Sequence, residues 1–133
     1  MKVQVLLVSK PGPLRDALSD LIASLPNTAA PNIGDTGLLA LKAMRQNRPQ
    51  IVVIASTIAP DEAVELVHSI KQTDTPARCV VLAQSLPHAQ HLAAAGADHV
   101  FYGDVSGRVL LITLGRMLNE VCAAQAQTGA DKT

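Results

Sequence analysis

The sequence predicts an α/β domain, a doubly wound, five-stranded parallel sheet with helices on both faces. Three observations carry that expectation. Short continuous apolar runs recur along the chain and end in Gly, Pro, Ser or Ala. Between them lie segments whose apolar residues repeat at three- and four-residue spacing. The first pattern is a strand buried on both faces, and the second is a helix packed along one stripe. The third observation is length, since 133 residues suffice for one core and not two.

The elements follow in order. Val3 to Val8 is a Val/Leu strand closed by Ser9-Lys10-Pro11-Gly12-Pro13. Leu14, Ala17, Leu18, Leu21, Ile22 and Leu25 then form a helical stripe ended by Pro26-Asn27. Thr28 to Ile33 contains Pro31 and reads as a short edge strand. Gly34-Asp35-Thr36 is a turn with a candidate N-cap, and Leu38, Leu41 and Met44 mark a second helix that stops before Pro49. Ile51 to Ala55 is the third strand. Pro60-Asp61-Glu62 opens a third helix, with proline in the first turn and acids at the positive end of the dipole. Cys79 to Ala83 is the fourth strand, and Pro87 to Ala95 an alanine-rich helix ended by Gly96. His99 to Tyr102 is the fifth strand and Val109 to Cys122 the last helix. Residues 1–124 make the domain, and the small, polar residues 125–133 read as a flexible tail or linker.

Composition narrows the function classes. Eleven basic and eleven acidic side chains balance to zero, which leaves no net field for direct nucleic-acid or anionic-membrane binding. No apolar run reaches the roughly 18–20 residues of a spanning helix. The N-terminal apolar run has no small-residue cleavage site behind it, so it is not expected to be a signal peptide. Cys79 and Cys122 stand far apart and make neither a metal pair nor a disulfide framework. A cytoplasmic, soluble domain is expected. Gly12 lies between two prolines, which removes donors a phosphate loop needs, and no G-x-G-x-x-G or P-loop pattern occurs.

Several pieces carry a resemblance. They are Val5-Leu6-Leu7-Val8, the Pro13-Leu14-Arg15-Asp16-Ala17-Leu18 helix start, Arg48-Pro49 before Ile51-Val52-Val53-Ile54, Val80-Val81-Leu82, and Ala94-Ala95-Gly96-Ala97-Asp98 before the fifth strand. In that order and spacing the chain, from Val3 to about Val121, resembles the receiver domain of bacterial two-component response regulators, above all the NarL/LuxR type. The resemblance implies the CheY-like, flavodoxin-like three-layer sandwich. It also implies where chemistry would sit. A working receiver carries two adjacent Mg²⁺-binding acids after strand one and a phospho-accepting Asp at the end of strand three. A Ser or Thr after strand four and a Lys after strand five complete it. On this chain the acids fall on Ser9 and Lys10, the acceptor on Ala55 or Ser56, the hydroxyl on Ala83 and the lysine on Gly103.

None is of the working type. Mg²⁺ needs hard oxygen ligands, normally carboxylates, and Lys10 puts a cation where the metal belongs. Asp104 alone is a poor cage. Nothing then neutralises charge on a transferred phosphoryl group, so neither aspartyl phosphorylation nor a metal or other cofactor is expected. Ser56 and Thr57 read as satisfying backbone groups at a strand-to-loop junction. Ser9 and Lys10, adjacent on a strand end, point apart and form no catalytic dyad. His88 and His91, three apart on the fourth helix, read as a solvated face.

The last helix carries more apolar residues than one sheet face can bury. Leu110, Leu114, Met117 and Val121 suffice for the core. Leu111, Leu118 and Cys122 are expected to form an exposed band, with Arg108 and Arg116 at its rim. Receivers resemble one another in using the face of helix four, strand five and helix five for assembly. The expected function is therefore a non-enzymatic, degenerate receiver, a pseudo-receiver that binds a protein partner or a second copy through that face without phosphorylation. The alternatives are a small-molecule sensor using the vacated pocket, or the N-terminal regulatory domain of a longer protein such as a DNA-binding regulator or a TadZ/CpaE-like ATPase.

Overall fold

The computed structural model describes residues 3–26, 28, 31–35, 37–72, 77–103 and 106–131. In chain order these form β1 (Val5–Val8), α1 (Pro13–Ala23), β2 (Asn32–Gly34), α2 (Gly37–Asn47), β3 (Ile51–Ile54) and α3 (Pro60–Lys71). Then follow β4 (Arg78–Ala83), α4 (Leu86–Ala95), β5 (His99–Tyr102) and α5 (Gly107–Asp131). The strands pair in parallel in the order β2-β1-β3-β4-β5. The chain begins mid-sheet, steps out to β2 and returns past β1 to β3. The carboxyl ends of β1 and β3 thus flank the topological switch point, where such sheets place their sites.

Alternation along the strands divides the core into two layers. Val5, Leu7, Ile51, Val53 and Val80 pack with Leu18 and Ile22 of α1 and with Leu110, Leu114 and Met117 of α5. Leu6, Val8, Val52, Ile54, Cys79 and Val81 pack with Ala40 of α2, Leu66, Val67 and Ile70 of α3, and Leu92 of α4. Both faces of β1 and β3 are buried, which is why their sequences are unbroken Val, Leu and Ile. β1 is shorter than its apolar run, since Val3 makes a single bridge to Thr28. The weak second segment is an edge strand, as Pro31 requires, but it is confined to Asn32–Gly34.

Local signals set the helix ends. Proline occupies the first turn of α1, α3 and α4. Ser85 caps α4, its side chain accepting the His88 N–H. Gly96 ends α4 in a left-handed conformation, φ 110°, and a Cβ there would lie 3.2 Å from Lys71 Cγ. Two residues on, the Asp98 carboxylate accepts the Cys79 N–H at 2.7 Å and the Lys71 ammonium at 2.6 Å, tying α3, β4 and the start of β5 together. Thr36, Asp104 and the side chain of Leu38 lie outside the described residues.

The last helix departs from the sequence expectation in two ways. Its backbone runs on to Asp131, through most of the stretch whose composition suggests a tail. More important for function, Leu118 is not on an exposed band. It is only 4% exposed and belongs to the α1–α5 layer, while Leu111 and Cys122 are half-buried against the same layer. The reason is tertiary. The sheet covers the Leu110, Leu114, Met117 and Val121 stripe as expected, and α1, which shares that face of the sheet, contributes Leu14, Leu18 and Leu21 to the layer that Leu111, Leu118 and Cys122 join. Among the described residues of α5 the large apolar side chains left in water are Val109 and Ile112, 48% and 55% exposed.

Candidate functional site

At the carboxyl ends of β1, β3 and β4 three loops meet, and side chains tie them to one another. Ser9 follows β1 and is fully buried. Its N–H bonds the Gly34 carbonyl at 3.0 Å. Its Oγ donates to the Lys10 carbonyl at 3.0 Å and lies 3.2 Å from Thr57 Oγ1. Thr57 Oγ1 in turn accepts the Lys10 N–H at 3.1 Å. One proton per hydroxyl fixes the direction of this small circuit. Lys10 N–H donates to Thr57, the Thr57 hydroxyl to Ser9, and the Ser9 hydroxyl back to the Lys10 carbonyl. Both hydroxyls are spent on backbone, as the sequence reading of the Ser/Thr junction anticipates for Thr57.

The second tie is Gln84, just past β4. Its amide Nε2 donates to the Ser56 carbonyl at 2.6 Å and to the Ile58 carbonyl at 3.3 Å. This side chain spans from the β4–α4 loop to the β3–α3 loop. Gln84 carries no signal in the sequence, because a glutamine shows no role until its carbonyl partners are known.

The remaining degenerate positions fall into place around these ties. Ala55 donates its N–H to the Val8 carbonyl at 2.9 Å and turns its methyl group into the α1–α5 layer. Ser56 is half-buried in the loop beyond it. Ala83 packs into the opposite layer. Lys10 and Gly103 are exposed, Gly103 with φ 85° at the end of β5. Mg²⁺ asks for carboxylate oxygens. Here the donors at the β1 end are a hydroxyl already hydrogen-bonded and an ammonium group, and the methyl of Ala55 occupies the β3 end. These side chains do not fit the ion. Among the described residues no group of three His, Cys, Asp or Glu side chains is placed to hold a metal.

His88 corrects an expectation. It is buried at the first turn of α4, not part of a solvated face, whereas His91 is exposed. Its Nδ1 accepts the Gln84 backbone N–H at 3.2 Å, so the neutral ring carries its proton on Nε2. Burial pushes its pKa below the ordinary histidine value, an effect that the Pro60 carbonyl and Asp61 partly offset and His91 reinforces. Burial likewise pushes the Cys79 thiol up to about 12, with Lys71 opposing and Asp98 adding. That thiol is inert.

The α5 residues named from sequence separate in space. Arg108 and Arg116 are exposed, and Leu111, Leu118 and Cys122 are turned inward. Helical geometry places Ile112, Arg116 and Val109 on the side opposite the buried stripe. Glu120, on the same side, pairs with Arg78 at the start of β4. Tyr102, at the end of the β5 edge strand, is also exposed.

No protein-family model matches the sequence, and no curated protein matches it. Solved structures do. A two-component response regulator of the LuxR family from Aurantimonas sp. is 21% identical over 90% of this chain and 87% of that one, with a TM-score of 0.77. The signal receiver domain of a putative Luxo repressor protein from Vibrio parahaemolyticus is 17% identical over 95% and 97%, with a TM-score of 0.80. A CheY-like response regulator receiver domain from Methanospirillum hungatei is 17% identical over 90% and 96%, with a TM-score of 0.77. The chain therefore has the fold of a response regulator receiver domain, the CheY-like α/β sandwich that its sequence pieces resemble.

Proposed function

We propose that this chain is a pseudo-receiver, a receiver-like domain of a two-component or phosphorelay signalling protein that acts by protein–protein interaction without being phosphorylated. The observation that carries the reading is the set of ties at the carboxyl end of the sheet. Where the resemblance calls for acids, a metal and a phosphoryl group, Ser9, Thr57 and Gln84 hydrogen-bond the loops to each other. The loops are held in one arrangement by the chain itself. The domain is regulatory and not enzymatic, and it needs no cofactor. Among the described residues no helix is long and apolar enough to cross a membrane, in keeping with a cytoplasmic role. The sensor reading is the weaker one, because the polar groups that would greet a ligand in the vacated site already satisfy one another. A longer parent protein, with this domain at its N-terminus, fits the pseudo-receiver reading equally.

The interacting surface is the face of α4, β5 and α5, revised to the residues that are exposed. Val109 and Ile112 supply its apolar centre, Arg108 and Arg116 its rim. Desolvated apolar anchors carry most of the energy of such contacts. Ile112→Glu is therefore expected to weaken self-association or partner binding by at least about 30-fold, corresponding to about 2 kcal/mol. Because Ile112 packs on nothing in the core, thermal stability stays within about 0.5 kcal/mol of the wild type. Sedimentation and pull-down against the native partner read the first quantity, thermal unfolding the second. Undiminished association of a folded Ile112→Glu chain sinks this assignment of the surface.

A further inference from the structure

We propose that His88 is a proton-operated latch on the seam between the β4–α4 and β3–α3 loops, and that its protonation releases the Gln84 bridge. The inference concerns the conformation of the loops and stands whichever partner the α5 face binds. His88 is a buried ring with no part in the pseudo-receiver contacts. His88 Nδ1 is the acceptor for the Gln84 backbone N–H. Among the described residues Nε2 is buried without a hydrogen-bond partner. The next residue, Ser85, caps α4 through the His88 N–H at 3.2 Å. The same Gln84 whose main chain rests on the ring sends its side chain across to the Ser56 and Ile58 carbonyls. The imidazole thus holds the main chain of the residue whose side chain makes the bridge.

Protonation cannot be accommodated in that arrangement. A proton taken from water onto Nδ1 uses the lone pair that accepts from Gln84, so two N–H groups are turned toward each other. The cation is then buried with Nε2–H still unpaired, and it sits in the first turn of α4, the positive end of the helix dipole. The charged and titratable neighbours do not rescue it. The Pro60 carbonyl and Asp61 of α3 favour the cation and His91 of α4 disfavours it, all as smaller effects than desolvation. β4 turns Cys79, Val81 and Ala83 to that face, the thiol staying neutral because burial pushes it up to about 12, and Tyr102 of β5, which pairs with Ala83, is exposed. Relief comes when the Gln84–His88 turn opens and the ring reaches water. The sign follows from the closed state holding the neutral ring. Closure has its full strength above the ordinary histidine value of about 6.5 and weakens as pH falls below it, where the open state binds the proton and the closed state does not.

The test is a ¹H–¹⁵N correlation titration of the intact chain from mildly alkaline to mildly acid pH, with the His88 ring protons followed in parallel. The expected result is that the backbone amides of Gln84, Ser56 and Ile58 and the Gln84 side-chain amide shift together along a one-proton curve. Its midpoint matches that of the His88 ring and lies below 6.5. His88→Asn keeps an acceptor oxygen near the Nδ1 position and cannot titrate, so the concerted shift is lost, whereas His91→Asn leaves it intact. Gln84→Ala serves as an independent check. There the ring still titrates, but Ser56 and Ile58 no longer follow it. The proposal is overturned if Ser56 and Ile58 stay still while His88 titrates, if their shift persists in His88→Asn, or if the ring takes up its proton only with global unfolding.

Discussion

Leu118→Glu unfolds the domain instead of splitting an assembly. Leu118 is 4% exposed among Leu18, Ile22, Leu114 and Val121. The substitution forfeits about 1.5–3 kcal/mol of leucine burial. It also forces a carboxylate with no partner into an apolar layer, which costs several kcal/mol more even when the group escapes by protonating. A domain of this size has about 5–15 kcal/mol in total. The expected outcome is a midpoint lowered by about 15–20 °C or the loss of a cooperative transition, read by circular dichroism or calorimetry. A folded Leu118→Glu chain of native stability with altered association would return Leu118 to the binding surface and contradict the packing of α1 beside α5.

The second large effect is expected at Ala55, one of the two positions to which the resemblance assigns the phosphoryl acceptor. Ala55→Asp puts a carboxylate at a site that is 1% exposed and packed into the α1–α5 layer. In a domain with a Mg²⁺ cradle the ion would offset that charge. Here Ser9 is committed to Thr57 and Lys10, and Lys10 contributes a cation in place of a ligand. The variant is expected to lose about 3–5 kcal/mol, the range for an uncompensated buried charge, and millimolar Mg²⁺ is expected not to restore it. Thermal unfolding with and without the ion decides the matter. A rise in melting temperature specific to Mg²⁺ would mean that the strand ends still form a metal site.

What was legible in the sequence was whatever a strand or helix shows by itself. Ile51-Val52-Val53-Ile54 reads as a strand buried on both faces, Pro60 before two acids suits a helix start, and Gly96 suits a left-handed cap. Such runs in order carry the sheet, its four crossovers and the expectation of a site at the strand ends. The face of α5 was not legible. Period alone separates Leu114 from Ile112, but it cannot say that α1 lies alongside and takes Leu118 as well. The burial of His88 is hidden for a related reason. A histidine on an alanine-rich helix looks solvated until the β4–α4 turn folds Gln84 N–H onto it. Ser9 was placed by the resemblance at a lost metal position, yet its partnership with Thr57, 48 residues away, appears only when β1 and β3 are set side by side. Contacts made across the sheet are carried by pairs of residues, and neither member announces the other.

The central claim is that the ties among Ser9, Thr57 and Gln84 stand where a phosphoryl group and its metal would act, and that the domain works without either. Native mass spectrometry of the intact chain, before and after incubation with acetyl phosphate and Mg²⁺, tests it most directly. The account predicts an unmodified mass and an unchanged distribution of oligomers. A covalent phosphoryl adduct, with or without a shift in that distribution, would contradict it and restore ordinary phosphorelay chemistry to this fold.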